Sequence, residues 1–283
     1  MPRKGLEKAF IVSLVALLGL FILPGNGTPA IVEASAPINA PFLPLEKANE
    51  GRVSEFQGLF ASWSSPSEDQ NPAWSQDPSS SGNYIYLTFD DGPDPKWTPQ
   101  IVELLSRHNA TATFFVNGRN AVTYPELLLQ EAQAGQMIAN HGYNHHDLTQ
   151  YGYNDFLLEV LDTRDAVFSA LSGHPELQQQ VVPCLRPPYG AVNANVWTFA
   201  YRIPYDISMW TLDTNDWQSI PAEYILEDVL ENAEPGSVVL MHDGGNDRSE
   251  TVEALGLILH ELTLRGWQFL PMCTADGQQA PSW

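Results

Sequence analysis

The stretch Tyr84-Ile85-Tyr86-Leu87-Thr88-Phe89-Asp90-Asp91-Gly92-Pro93 decides how the chain is read. An apolar run of strand character ends in two adjacent carboxylates, and Gly92-Pro93 breaks it, so both aspartates belong where a strand gives way to a loop. Neighbouring side chains point in different directions, so one carboxylate can hold a cation while the other stays free to take a proton. A solvated Asp-Asp-Gly turn fits the same residues. The rest of the chain has to choose between the two.

Outward from this stretch, apolar runs recur near residues 84–89, 112–116, 137–141, 181–186, 205–210, 238–242 and 267–272. Helical patterns lie between them. Thr98-Pro99 opens one as N-cap and first-turn proline, with Ile101, Leu104, Leu105 and His108 on one face. Pro125 to Ala134 makes a second, closed by Gly135, and Asn154 caps a third. Further helices are expected near 193–201, 222–233 and 251–265. Strands alternating with helices imply a parallel sheet covered by helices, as an open doubly wound sheet or a closed barrel.

Polar residues arbitrate. Asp90 and Asp91, His141, Arg186, Asp213 and His242 fall at or just after the ends of five different apolar runs. Only a closed or nearly closed barrel gathers that many C-terminal strand ends round one centre. Residues 83–275 are fewer than the usual ~250 of eight repeats. The expected fold is therefore α/β, a distorted or incomplete (β/α) barrel with about seven parallel strands.

Each segment has its own chemistry. His141 and His145 stand four apart, which puts both imidazoles on one face of a helical turn, and an aspartate can complete a three-ligand site with an open position. His146 and His108 read as surface or packing residues. In Arg186-Pro187-Pro188-Tyr189-Gly190 the prolines stiffen a loop whose guanidinium can pin a carboxylate in its ionised form. Asp213-Thr214-Asn215-Asp216-Trp217 follows Trp210, and Leu240-Met241-His242 ends the next run. A carboxylate beside a histidine orients the ring and raises its pKa, which suits a proton donor.

Together these five segments resemble the polysaccharide deacetylase family, carbohydrate esterase family four, whose domain is shared with the nodulation chitooligosaccharide deacetylases. The resemblance covers about residues 83 to 272, with TFDDGP, His-x-x-x-His, RPPYG, Asp-x-x-Asp-Trp and Leu-x-His in order. It implies Asp90 as general base and Asp91, His141 and His145 as ligands of one divalent metal, zinc foremost, with cobalt, nickel or manganese as alternatives. It implies that Arg186 orients Asp90, that Asp213 pairs with His242, the general acid, and that the Tyr189 amide helps hold the oxyanion. Trp217 and Leu240 would line the pocket for the acetyl methyl. Two positions depart from the family: Gly142 stands where members usually have Ser or Thr, and His146 where a proline often follows the second ligand. A hydroxyl lost behind a metal ligand typically costs about ten- to a hundredfold in affinity.

The remaining sequence bounds where such an enzyme would act. Arg3, Lys4 and Lys8 precede an uncharged run from Ala9 to Leu23, and Ala34-Ser35-Ala36 fits a cleavage site, the layout of a secretory signal over residues 1–36. Fifteen helical residues span only ~22 Å against ~30 Å of hydrocarbon, which favours cleavage over an uncleaved N-terminal anchor. Residues 37–82 read as a Pro/Ser-rich linker, 83–275 as the catalytic domain and 276–283 as a tail.

The 283-residue chain is 43% hydrophobic and carries a formal charge of -21. Residues 1–36 hold three basic and two acidic groups; without them 10 basic and 32 acidic remain, a net -22. Such a surface repels nucleic acid and anionic headgroups and suits a neutral polymer. The expected partner is an N-acetylated polysaccharide or oligosaccharide, peptidoglycan first and chitin-like polymers next, bound by a monomer with membrane contact only through an uncleaved N-terminus. An acetylxylan-type O-acetyl esterase and a non-catalytic glycan-binding protein are the alternatives. Cys184 and Cys273 lie in separate predicted strands, and sequence leaves their pairing open.

Overall fold

The structure, a computed structural model, describes residues 51, 52, 54, 82–203 and 205–273. The expected signal or anchor, most of the linker and the tail lie outside them. No described helix is long and apolar enough to cross a membrane.

Eight strands run in parallel: β1 (Tyr84–Asp90), β2 (Ala112–Val116), β3 (Met137–Asn140), β4 (Val181–Leu185), β5 (Asp206–Ile207), β6 (Leu212–Asp213), β7 (Ser237–His242) and β8 (Gln268–Phe269). Seven form one path, β5-β4-β3-β2-β1-β7-β6, and β8 pairs with the first two residues of β1, ahead of where β2 joins it. The path ends at β5 and β6, which do not pair with each other, so this is the incomplete barrel the chain length implied. Beside the strands run α1 (Thr98–Arg107), α2 (Gly118–Thr123), α3 (Pro125–Gln133), α4 (Tyr153–Ala170), α5 (Ala194–Arg202), α6 (Ala222–Asn232) and α7 (Ser249–Leu264).

The two-residue period of the strands divides the sheet into two faces. Ile85, Leu87 and Phe89 of β1 join Phe114 of β2, Val239 and Met241 of β7, and the buried sides of α1, α3, α6 and α7 in the main core. The alternate residues Tyr86, Phe115, Ala139, Val182 and Val238 form a second cluster with Met272 and Cys273. Thr88, Asp90, Leu240 and His242 belong to that second face by the same alternation. The catalytic candidates therefore crown a face whose lower part is apolar, which excludes water from beneath them. Cys184 of β4 and Cys273 form a disulfide within this cluster.

Three local expectations shift. Trp97, not Thr98, precedes the first turn of α1; Thr98 turns inward and its Oγ1 donates to Asp243 Oδ2. Gly152, not Asn154, precedes α4. One residue of the expected linker is anchored: Arg52 donates to Asp162 Oδ1 (2.7 Å) and Asp165 Oδ2 (2.6 Å) on α4.

Candidate active site

The site is built where β1, β3, β4 and β7 end. Asp90 is the last residue of β1 and pairs in register with His242, the last of β7. Asp91, the first residue past β1, takes a left-handed conformation, φ 75°, uncommon for a residue with a Cβ. It is held from α2 and the residue before it: Asn120 Nδ2 donates to the Asp91 carbonyl at 2.8 Å, and Asn117 Nδ2 to the carboxylate at Oδ1, 3.2 Å away.

This turn carries the Asp91 carboxylate to the two histidines. Its Oδ1 lies 3.1 Å from His145 Nε2 and 3.6 Å from His141 Nε2, and the three ligand atoms all lie within 4.8 Å of one another. Separations of 3.1 and 3.6 Å suit atoms that share a cation at ~2.0–2.2 Å from each. His141 Nδ1–H donates to the Arg186 carbonyl at 2.7 Å, which leaves Nε2 with the lone pair. Two imidazole nitrogens and one carboxylate oxygen fit a divalent metal with open coordination positions. Burial pushes the Asp91 carboxyl up, but the charges of His141, His145 and His242 and the Asn117 bond outweigh it and hold it below its ordinary value. Burial lowers His145 below its ordinary value; the charges of Asp91 and Asp90 oppose this and those of His141 and His242 add to it, and the net direction favours the neutral ring a metal needs.

Asp90 is kept out of this group by Arg186. The guanidinium is fully buried; Nη1 donates to Asp90 Oδ1 at 2.7 Å and to Thr88 Oγ1 at 2.8 Å. Nε and Nη2 donate to the Ser208 and Met209 carbonyls, both at 3.1 Å, and the plane lies 4.0 Å from the Phe115 ring centre. An arginine bonded on every side cannot swing away, so Asp90 Oδ1 is fixed and Oδ2 faces the site, 3.7 Å from His141 Nε2.

His242 does not pair with Asp213, as the resemblance implied. Its Nδ1 lies 2.7 Å from Asp216 Oδ1, and Asp216 Oδ2 accepts from the His242 amide and from Thr251 Oγ1, both at 2.8 Å. Asp213 instead accepts from the amide of Asn215, two residues on, at 2.9 Å. The reason is local: Asp213 closes a turn with its own backbone, and the left-handed Asn215, φ 56°, redirects the chain so that Asp216 comes under the imidazole. Burial lowers the His242 pKa, but the bond and charge of Asp216, with Asp90 and Asp91, raise it above the ordinary 6.5.

Tyr189 is also left-handed, φ 62°; its ring packs against His145 at 4.5 Å and its hydroxyl donates to the His145 carbonyl at 3.3 Å. Gly190 must be glycine, since a Cβ there would lie 2.6 Å from Trp210. Trp217 is half exposed and Leu240 buried. His108 takes no part, and His146 Nδ1 bonds the Tyr151 hydroxyl. Asn117, Asn120 and Asp216 are the supports that spacing did not reveal. Asp243, after His242, is fully buried; burial chiefly pushes its carboxyl up to about 7.

Residues 77–208 match the polysaccharide deacetylase family. A peptidoglycan-N-acetylglucosamine deacetylase of Bacillus cereus is 38% identical over 188 residues, 66% of this chain and 84% of the relative. The chain belongs to the polysaccharide deacetylase family. A chitooligosaccharide deacetylase of Sinorhizobium fredii is 34% identical over 193 residues, 65% of this chain and 87% of that protein. The solved peptidoglycan deacetylase PdaC of Bacillus subtilis superposes with a TM-score of 0.61 at 31% identity, covering 69% of this chain and 90% of PdaC.

Proposed function

We propose that this deacetylase hydrolyses the N-acetyl groups of N-acetylglucosamine units in an extracellular polysaccharide, with peptidoglycan as first substrate and a chitin-like polymer second. One observation carries the reading: Asp90, pinned by Arg186, lies 3.7 Å from His141 of the Asp91-His141-His145 group and pairs in register with His242, which is bonded to Asp216. A base, a cation site and an acid are what amide hydrolysis requires.

Asp91, His141 and His145 would hold one divalent metal, zinc foremost, which when bound acidifies water and polarises a carbonyl. Asp90 Oδ2 takes the proton of the attacking water, because Oδ1 is held on Arg186. The Tyr189 amide would help hold the developing oxyanion. His242, whose pKa is raised by its bond to Asp216, gives its proton to the departing amine, a poor leaving group that needs one. Trp217 and Leu240 bound the acetyl methyl. The basic, apolar N-terminus supports export, with residues 37–82 as the tether and 83–275 as a catalytic unit acting as a monomer.

The test is to offer zinc-loaded protein peptidoglycan, chitooligosaccharide and acetylxylan, and to measure acetate and new primary amine. Acetate with equal amine from peptidoglycan supports the reading. Acetate without amine makes it an O-acetyl esterase, and neither product from any substrate makes it a glycan binder.

A further inference from the structure

The loop between the two histidine ligands, residues 141–145, has left-handed backbone at Gly142 (φ 79°) and at His145 (φ 57°). Such a turn needs something to hold it. From above, its carbonyls are used: Gly142 O accepts from the Gly118 amide at 3.0 Å and Tyr143 O from the Arg119 amide at 3.1 Å, which ties it to the first turn of α2. From below, its amides converge on one carboxylate. Tyr143 N and Asn144 N both donate to Glu159 Oε2 at 2.8 Å, and Asn144 Nδ2 donates to Oε1 at 2.9 Å. His146 Nδ1 stands 3.5 Å from Oε1. Glu159 projects from α4 and is 5% exposed.

A buried carboxylate is costly unless its acceptor sites are filled, and here the loop's own amides and an amide side chain fill them. Glycine at 142 is favoured by the left-handed φ of 79°, and a Cβ there would meet Glu159 Oε2 only at an ordinary contact distance of 3.4 Å.

We propose that Glu159 is the positioning residue of the metal site, fixing through the Tyr143 and Asn144 amides the loop that presents His141 and His145. Glu159 touches no reacting atom. The inference rests on the proposed metal-binding role of those histidines, so its test separates the two.

Metal-free wild-type protein and the variants Glu159→Gln, Glu159→Asp, Asn144→Ala and Val167→Ala are titrated with zinc by calorimetry well below their melting temperatures. Exchange of the Tyr143 and Asn144 amides is followed by NMR without metal. Glu159→Gln removes the charge and places an NH2 against either the two backbone amides or Asn144 Nδ2, and Glu159→Asp is too short to reach both amides. Each is expected to weaken zinc binding about ten- to a hundredfold and to speed exchange of those two amides. Asn144→Ala keeps both backbone bonds and should weaken zinc less than either. Val167→Ala, a core cavity on the same helix, should lower the melting temperature and leave zinc affinity unchanged.

Unchanged zinc affinity and exchange in both Glu159 variants overturn the proposal while leaving the metal site intact. Val167→Ala weakening zinc as much as Glu159→Gln overturns it too, since the effect would then be general loosening of α4. If wild-type protein binds no zinc, the metal-site reading fails and this inference falls with it.

Discussion

The two halves of the site are held in opposite ways. The Asp91-His141-His145 half rests on left-handed turns, at Asp91, Gly142 and His145, each locked by bonds from neighbouring elements: Asn117 and Asn120 on one side, Glu159 and the amides of α2 on the other. The His242 half needs no unusual backbone at the histidine, which ends a regular strand and leans on one carboxylate, Asp216. A cation site must fix several atoms against each other, so many supports converge on it. A proton donor must fix one atom and one pKa, and a single ion pair does both.

The largest predicted effect falls on the first half. His145→Ala should release the metal and reduce turnover to background; full metal content by elemental analysis would contradict the division. Asp90→Asn should keep the metal, because Asp90 is bound to Arg186, and should lower turnover by about a hundredfold or more. Retained turnover would remove Asp90 from the base role.

A smaller effect is expected in the second half. Asp216→Asn should keep the metal, slow turnover by about tenfold or more, and move the alkaline limb of the pH–rate profile to lower pH. The sign follows from the raised pKa. With Asp216 ionised, the donating imidazolium persists above pH 6.5 and activity falls as pH rises through the raised value. Without that charge, burial lowers the pKa and the fall comes earlier. The same pair stabilises the fold below the ordinary histidine pKa, and that contribution is lost as pH rises through the raised one. A limb that stays in place would detach Asp216 from His242. Smallest of all is Asp213→Asn, which keeps an acceptor for the Asn215 amide and removes only a charge from a turn, and should change the rate by about twofold or less.

That contrast between Asp213 and Asp216 marks where sequence reading stopped. Strand periods and helix caps located β1 to β5, β7, β8 and the longer helices, because apolar repeats report burial directly. Two-residue β6 and six-residue α2 were invisible, since neither completes a period. Asp90, Asp91, His141, Arg186 and His242 were legible as polar residues at strand ends, and His145 by its spacing from His141. Asp216 was not, because both aspartates follow the same strand and only the left-handed Asn215 decides which one returns to the histidine. Glu159 was hidden for a related reason: inside an amphipathic helix it reads as a solvated face, and only tertiary packing buries it under the loop. The disulfide likewise depends on Cys273 entering the inner face of the sheet.

The central claim is tested most directly by stripping the protein with a chelator, adding zinc back in measured steps, and following products from N-acetylated peptidoglycan. The account predicts no product without metal, and recovery that is complete at one zinc per chain, with acetate and primary amine appearing in equal amounts. Full activity in stripped protein, or stoichiometric zinc binding with no acetate released, would contradict it.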